Sequence, residues 1–126
     1  MDPLPDPRTQ AVQAEALYLL NLLIAPGLAF LLLLGLAYQQ RASTNPLTRC
    51  HVRQTVWVSL QAGLLLAVVP AIIALVGDLD APTTWMLLVL YFVCCHATLV
   101  LLGVLGLSRA IAGQTFVYPL LGSRKW

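Results

Sequence analysis

The residues best equipped for chemistry stand together as Cys94-Cys95-His96, near the middle of an apolar run from about Thr84 to Leu107. A metal site made from this triplet alone is excluded, because consecutive residues on a helix diverge by about 100° and cannot converge on one ion. A haem bridged between His96 and His51 of one copy also fails, since their depths differ by ~18 Å at 1.5 Å per residue. A single axial contact from His96 to a haem or bacteriochlorophyll stays open, neutral imidazole being a common axial ligand. Against it, Phe92 stands one turn before His96, where a flat macrocycle favours a small residue. The plainer reading gives His96 a hydrogen-bond partner on another helix, Asn21 or Gln61, with Cys94 and Cys95 packing as small apolar groups. Catalysis has little to work with. The three apolar runs hold no Asp or Glu, hence no carboxylate pair and no His-Glu-x-x-His. Ser59 has no evident base, and the expectation is that the protein is not an enzyme.

The elements that must position these residues follow from composition. Of 126 residues, 60% are hydrophobic and 10% charged, with a mean hydropathy of +0.84. Soluble domains carry about 25% charged residues, so lipid is the expected solvent. A net charge of +2 without a basic run excludes a nucleic-acid partner, and no soluble substrate is evident. The cysteines Cys50, Cys94 and Cys95 do not form a disulfide framework.

Residues 1–15 read as a loose tail: three prolines within the first seven residues exclude an early helix, and Thr9 to Glu15 allow a short interfacial turn; Asp2, Asp6 and Glu15 outweigh Arg8 where a signal peptide would be positive. Three apolar segments follow, at about 16–38, 55–76 and 84–107, each long enough to cross a hydrocarbon core of ~30 Å. Pro26-Gly27 kinks the first and frees the carbonyl of Leu22, which a neighbouring helix or water must satisfy. Asn21, Ala25 and Ala29 share one of its faces. Ser59, Gly63, Ala67 and Ala71 recur every four residues on the second segment, forming a small-residue seam for close helix packing.

The expected fold is therefore all-α: a single three-helix, up-and-down transmembrane domain over residues 16–126. With three crossings, the first loop and the C-terminus share a side and carry six of the seven Lys and Arg residues, while the opposite side carries all five acids. The positive-inside rule then puts the N-terminus outside and the C-terminus in the cytoplasm.

Two motifs add a resemblance. His51-x-Arg53-Gln54 at the head of one helix, with Ala110-x-x-Gly113 and Phe116-x-Tyr118-Pro119-Leu120 after the next, resembles a bacterial family of small membrane proteins of unknown function. That family is similar to the channel subunit of the chloroplast inner-envelope import translocon. The resemblance covers about residues 45–122, with Gln114 and Val117 where many members carry an acid and a base, and it implies no enzymatic activity. Read physically, His51, Arg53, Gln54, Arg109, Tyr118, Arg124 and Lys125 form a basic, aromatic belt at the cytoplasmic headgroups, for anchoring or for binding anionic lipid or a partner. The resulting expectation is a structural or accessory subunit of a larger membrane complex, and the resemblance implies a bacterial inner membrane. Its rivals are a self-assembling translocation or conduction component and a pigment- or haem-contacting subunit.

Overall fold

A computed structural model describes residues 6–119 and 121. Among these residues the chain is helical without strands: α1 (Pro7–Leu23), α2 (Leu28–Gln39), α3 (Pro46–Gly63), a π-helical stretch (Leu64–Val68) leading into α4 (Val69–Val76), and α5 (Pro82–Ile111). Two continuous helical stretches are long and apolar enough to cross a membrane, Pro46–Val76 with 31 residues and Pro82–Ile111 with 30.

The first apolar segment departs from expectation. It forms an antiparallel hairpin instead of one kinked crossing: Gln13 and Leu17 of α1 line the same groove as Gln39 and Leu36 of α2, and Pro7 and Gln10 lie beside Gln40. Pro26 can donate no hydrogen bond to the preceding turn, and Gly27 takes a positive φ of 86°, which reverses the chain where a side chain would be strained. The Asn21 carboxamide oxygen closes the turn by accepting from the Gly27 N–H at 2.9 Å.

Residues 7–15, expected as tail, are the first half of α1. Asp6 caps the helix by accepting from the Arg8 N–H at 3.0 Å, and Pro7 occupies the first turn, where its missing donor costs nothing. The same grammar starts α3 at Pro46, ahead of the expected Thr55: the Asn45 side chain accepts from Leu47 N at 2.9 Å and Thr48 N at 3.3 Å.

α1 packs on both long helices. Ala14, Leu33 and Val52 join α1, α2 and α3 in one buried cluster. Against α5, Gly103 and Gly106 let α1 come close; a Cβ on Gly103 would sit 2.7 Å from the Tyr18 ring, and one on Gly106 would sit 2.5 Å from a Glu15 carboxylate oxygen. With 17 residues, α1 extends ~25 Å against ~45 Å for the 30 residues of α5. The hairpin therefore flanks only part of α5, and its tip lies level with His96, near the middle of that helix.

Both proline breaks leave an orphan carbonyl, and α5 satisfies each. His96 Nε2 donates to Leu22 O at 3.0 Å, the carbonyl four residues before Pro26. The Tyr91 hydroxyl donates to Leu65 O at 2.8 Å, the carbonyl that the widened turn would have directed at residue 70, which is proline.

Candidate functional site

The end of α5 builds the site. Gly113, at φ 71°, closes the helix with paired bonds, Gly113 N to Ala110 O at 3.0 Å and Gln114 N to Arg109 O at 2.8 Å. The chain then turns back as an irregular strap, residues 113–119, along α3. Irregular backbone among apolar helices needs side-chain partners. Here α3 supplies them: His51 Nε2 donates to Gln114 O at 2.8 Å, and the Cys50 thiol to Phe116 O at 3.4 Å. Further along, the Gln61 carboxamide lies 2.9 Å from both Leu121 O and Trp57 Nε1, and one amide orientation donates to the first while accepting from the second.

At the centre lies Glu15, fully buried with His51. One of its carboxylate oxygens meets His51 Nδ1 at 2.6 Å, and the other accepts a short hydrogen bond from the Tyr118 hydroxyl. Tyr118 is edge-on to Tyr18, with ring centroids 5.6 Å apart, and the Tyr18 hydroxyl donates to Leu99 O of α5 at 3.1 Å. Thr55 returns its hydroxyl to His51 O at 2.8 Å, and Thr48 donates to Gln10 at 3.0 Å. Burial first, and the Glu15 carboxylate second, push the Tyr118 phenol far above its ordinary value, so it remains a donor.

The partners fix the proton inventory. Gln114 O can only accept, so His51 Nε2 carries hydrogen, and the 2.6 Å contact between Nδ1 and Glu15 holds a second, shared proton. The cluster is a buried proton-holding group that ties α1, α3 and the strap together.

Of the belt expected from sequence, Arg53 and Arg109 are exposed, and Arg109 donates to the Gln114 side chain at 2.7 Å. His51, Gln54 and Tyr118 are interior instead; the unexpected first half of α1 brings Glu15 onto His51 and Tyr118. Arg124 and Lys125 lie outside the described residues. Among the packing residues, Asn21 and Ala25 are half-buried at the hairpin turn, Ala29 and Ser59 are buried, and Gly63, Ala67 and Ala71 are exposed. His96 is half-buried, stacked on Phe92 at 5.6 Å, with Cys94 exposed beside it. Its partner is the Leu22 carbonyl, next to Asn21; neither the Asn21 nor the Gln61 side chain is used.

Sequence reasoning missed Glu15, having assigned it to a tail. The available signal was Ala11, Ala14, Glu15 and Tyr18, spaced as one helical face behind an Asp6-Pro7 start. No family model, no curated protein and no solved structure matches this chain.

Proposed function

We propose that this is a non-catalytic integral membrane protein that docks as an accessory subunit onto a larger membrane assembly. In this reading α3–α4 and α5 cross the bilayer, and the α1–α2 hairpin enters and leaves by one face. The exposed turn at its tip keeps its polar backbone groups paired, the Gly27 N–H with the Asn21 side chain and the Leu22 carbonyl with His96, as a low-dielectric surrounding requires. Among the described residues, the end where α1 begins carries Arg8, Arg41, Arg49, Arg53 and Arg109 with Asp6 and the buried Glu15, and the opposite loop carries Asp78 and Asp80 without a basic residue. The positive-inside rule then assigns the basic end to the cytoplasm. The proposed topology replaces an outside N-terminus with one on the cytoplasmic side. The resemblance to the small bacterial membrane family is kept as part of this proposal, since its motif residues His51, Gly113, Phe116 and Tyr118 meet around Glu15 and the strap.

One observation carries the docking role. Beyond the hairpin tip, the seam of Gly63, Ala67 and Ala71 is exposed, and a Cβ on Gly63 would meet nothing within 4 Å. Small residues on an uncovered apolar helix let a second backbone approach. The test is purification of the tagged protein in mild detergent, with mass spectrometry of whatever co-migrates. A stoichiometric larger complex, lost on replacing Gly63 and Ala67 by Leu, supports the accessory role; a partner-free homo-oligomer lost by the same change replaces it with the self-assembling reading. Topology is checked separately by labelling Thr9→Cys, Thr44→Cys and Asp80→Cys from one side of the membrane. Thr9 and Thr44 should react together and Asp80 should not; a Thr9 that labels with Asp80 restores three crossings.

A further inference from the structure

We propose that the Glu15–His51 pair is a proton-binding site that latches the strap, holding it closed while the pair is fully protonated and releasing it on loss of one proton. The geometry carries this. His51 faces two acceptors at once, Glu15 at 2.6 Å and Gln114 O at 2.8 Å, and needs a hydrogen toward each. With one proton fewer, the single hydrogen left on the ring can serve Glu15 or Gln114, but not both. The unserved contact then sets two lone pairs against each other beside a fully buried ring.

The latch is therefore kept while both hydrogens are present and lost toward base. The surroundings supply no substitute. The titratable neighbours are Tyr18 on α1, Cys50 on α3 and Tyr118 on the strap; on α5 the Gly106 backbone lies against Glu15, and Cys95 lies toward Tyr18. Two cations stand at the rim where the strap begins, Arg8 against Gly113 and Arg109 on the Gln114 side chain. Both meet the strap at its exposed rim, whereas His51 reaches Gln114 O from a fully buried ring.

The opening has a path. Gln114, Thr115 and Val117 are exposed, so the strap has no covering layer to displace, and Gly113 at its head is a natural pivot. Loss of the His51 bond leaves Arg109 holding Gln114 at the pivot, with the weak Cys50 thiol contact and the Tyr118 hydroxyl as the attachments of the strap beyond it.

The test uses the full chain in detergent micelles with Cys94 and Cys95 replaced by Ser and a nitroxide on Thr115→Cys. Label mobility is read from about pH 6 to about pH 10, a range spanning the ordinary imidazole and thiol values. The expected result is a one-proton transition from immobilised to mobile. Glu15→Gln, whose amide can donate to Nδ1 of a neutral His51, should keep the label immobilised and abolish the transition. His51→Gln removes the titrating ring and should also lose the transition, so the outcome does not depend on one variant folding. Cys50 still titrates in both, which separates its contribution. A wild-type label that stays immobilised throughout, or a transition that persists in a folded variant, overturns the proposal.

Discussion

The basic end and the opposite end of this molecule are built from equally apolar helices but are held in different ways. At the basic end, α1, α3, α5 and the strap converge on buried polar groups, with Glu15, His51, Thr48 and Tyr118 all hydrogen-bonded. Beyond the hairpin tip, the π-helical stretch and α4 run against α5 alone, and no residue of either is buried. Leu75 and Val76 are 85% and 84% exposed, so most of that surface is left for lipid or a partner. Among identical lipid tails, apolar side chains give little specificity, whereas hydrogen bonds and close small-residue contacts define one arrangement. The difference teaches that this chain's fold is specified at one end and its outward surface is offered at the other.

The sharpest way to break that comparison is His51→Ala. Removing one partner of a buried charged pair costs about 3–5 kcal/mol, because the other is left uncompensated. Thermal unfolding in mild detergent should show the largest loss of any single change considered, with the strap detached. A variant that unfolds like wild type would mean that the two ends are held alike.

The next effect belongs to the boundary. Gly27→Ala meets no steric obstacle, since nothing lies within 4 Å of its Cβ, so its cost is that of the backbone alone. At φ 86° and ψ −53° a side chain costs about 1–3 kcal/mol. Gly103→Ala should fall in the same range for the opposite reason, overpacking against Leu19 and Tyr18 at 2.6 and 2.7 Å. The unfolding midpoints of both, compared with a Gly35→Ala control in open space, separate strain from crowding.

Much of this was legible in the sequence and some was not, for physical reasons. The second and third apolar segments, the Pro26 break with its orphan Leu22 carbonyl, and a hydrogen-bonded role for His96 all follow from local rules. Chain reversal at Pro26-Gly27 does not, because a proline predicts a missing bond and not the angle that results; Pro70 has the same defect yet keeps its helix straight enough to continue. The site was hidden for a related reason. Three prolines marked the N-terminus as non-helical, but Pro7 sits at the one helical position that tolerates it, and that single misreading removed Glu15 from consideration.

A smaller effect probes the far end. Tyr91→Phe leaves the Leu65 carbonyl without a donor, a loss of about 1 kcal/mol. Pro70→Ala restores a backbone N–H at the position that should supply it. In the double variant the Tyr91→Phe cost should therefore vanish, and a double-mutant cycle on unfolding free energy reads that coupling directly. Independent, additive effects would show that the hydroxyl is not standing in for the proline's missing donor.

The smallest expected effect is the most informative about what the far end is for. Gly63 and Gly103 are both glycines on long apolar helices, but Gly103 is filled by α1 and Gly63 faces open space. If the seam served the fold, Gly63→Leu would destabilise the isolated chain as Gly103→Ala does. If the seam is offered outward, the change should stay within about 0.5 kcal/mol, as surface substitutions do, while association through that face is lost. Stability and association thus move separately at Gly63 and together at Gly103. A Gly63→Leu protein that unfolds early in detergent, before any partner is present, would place the seam inside the fold and remove the basis for reading it as a docking face.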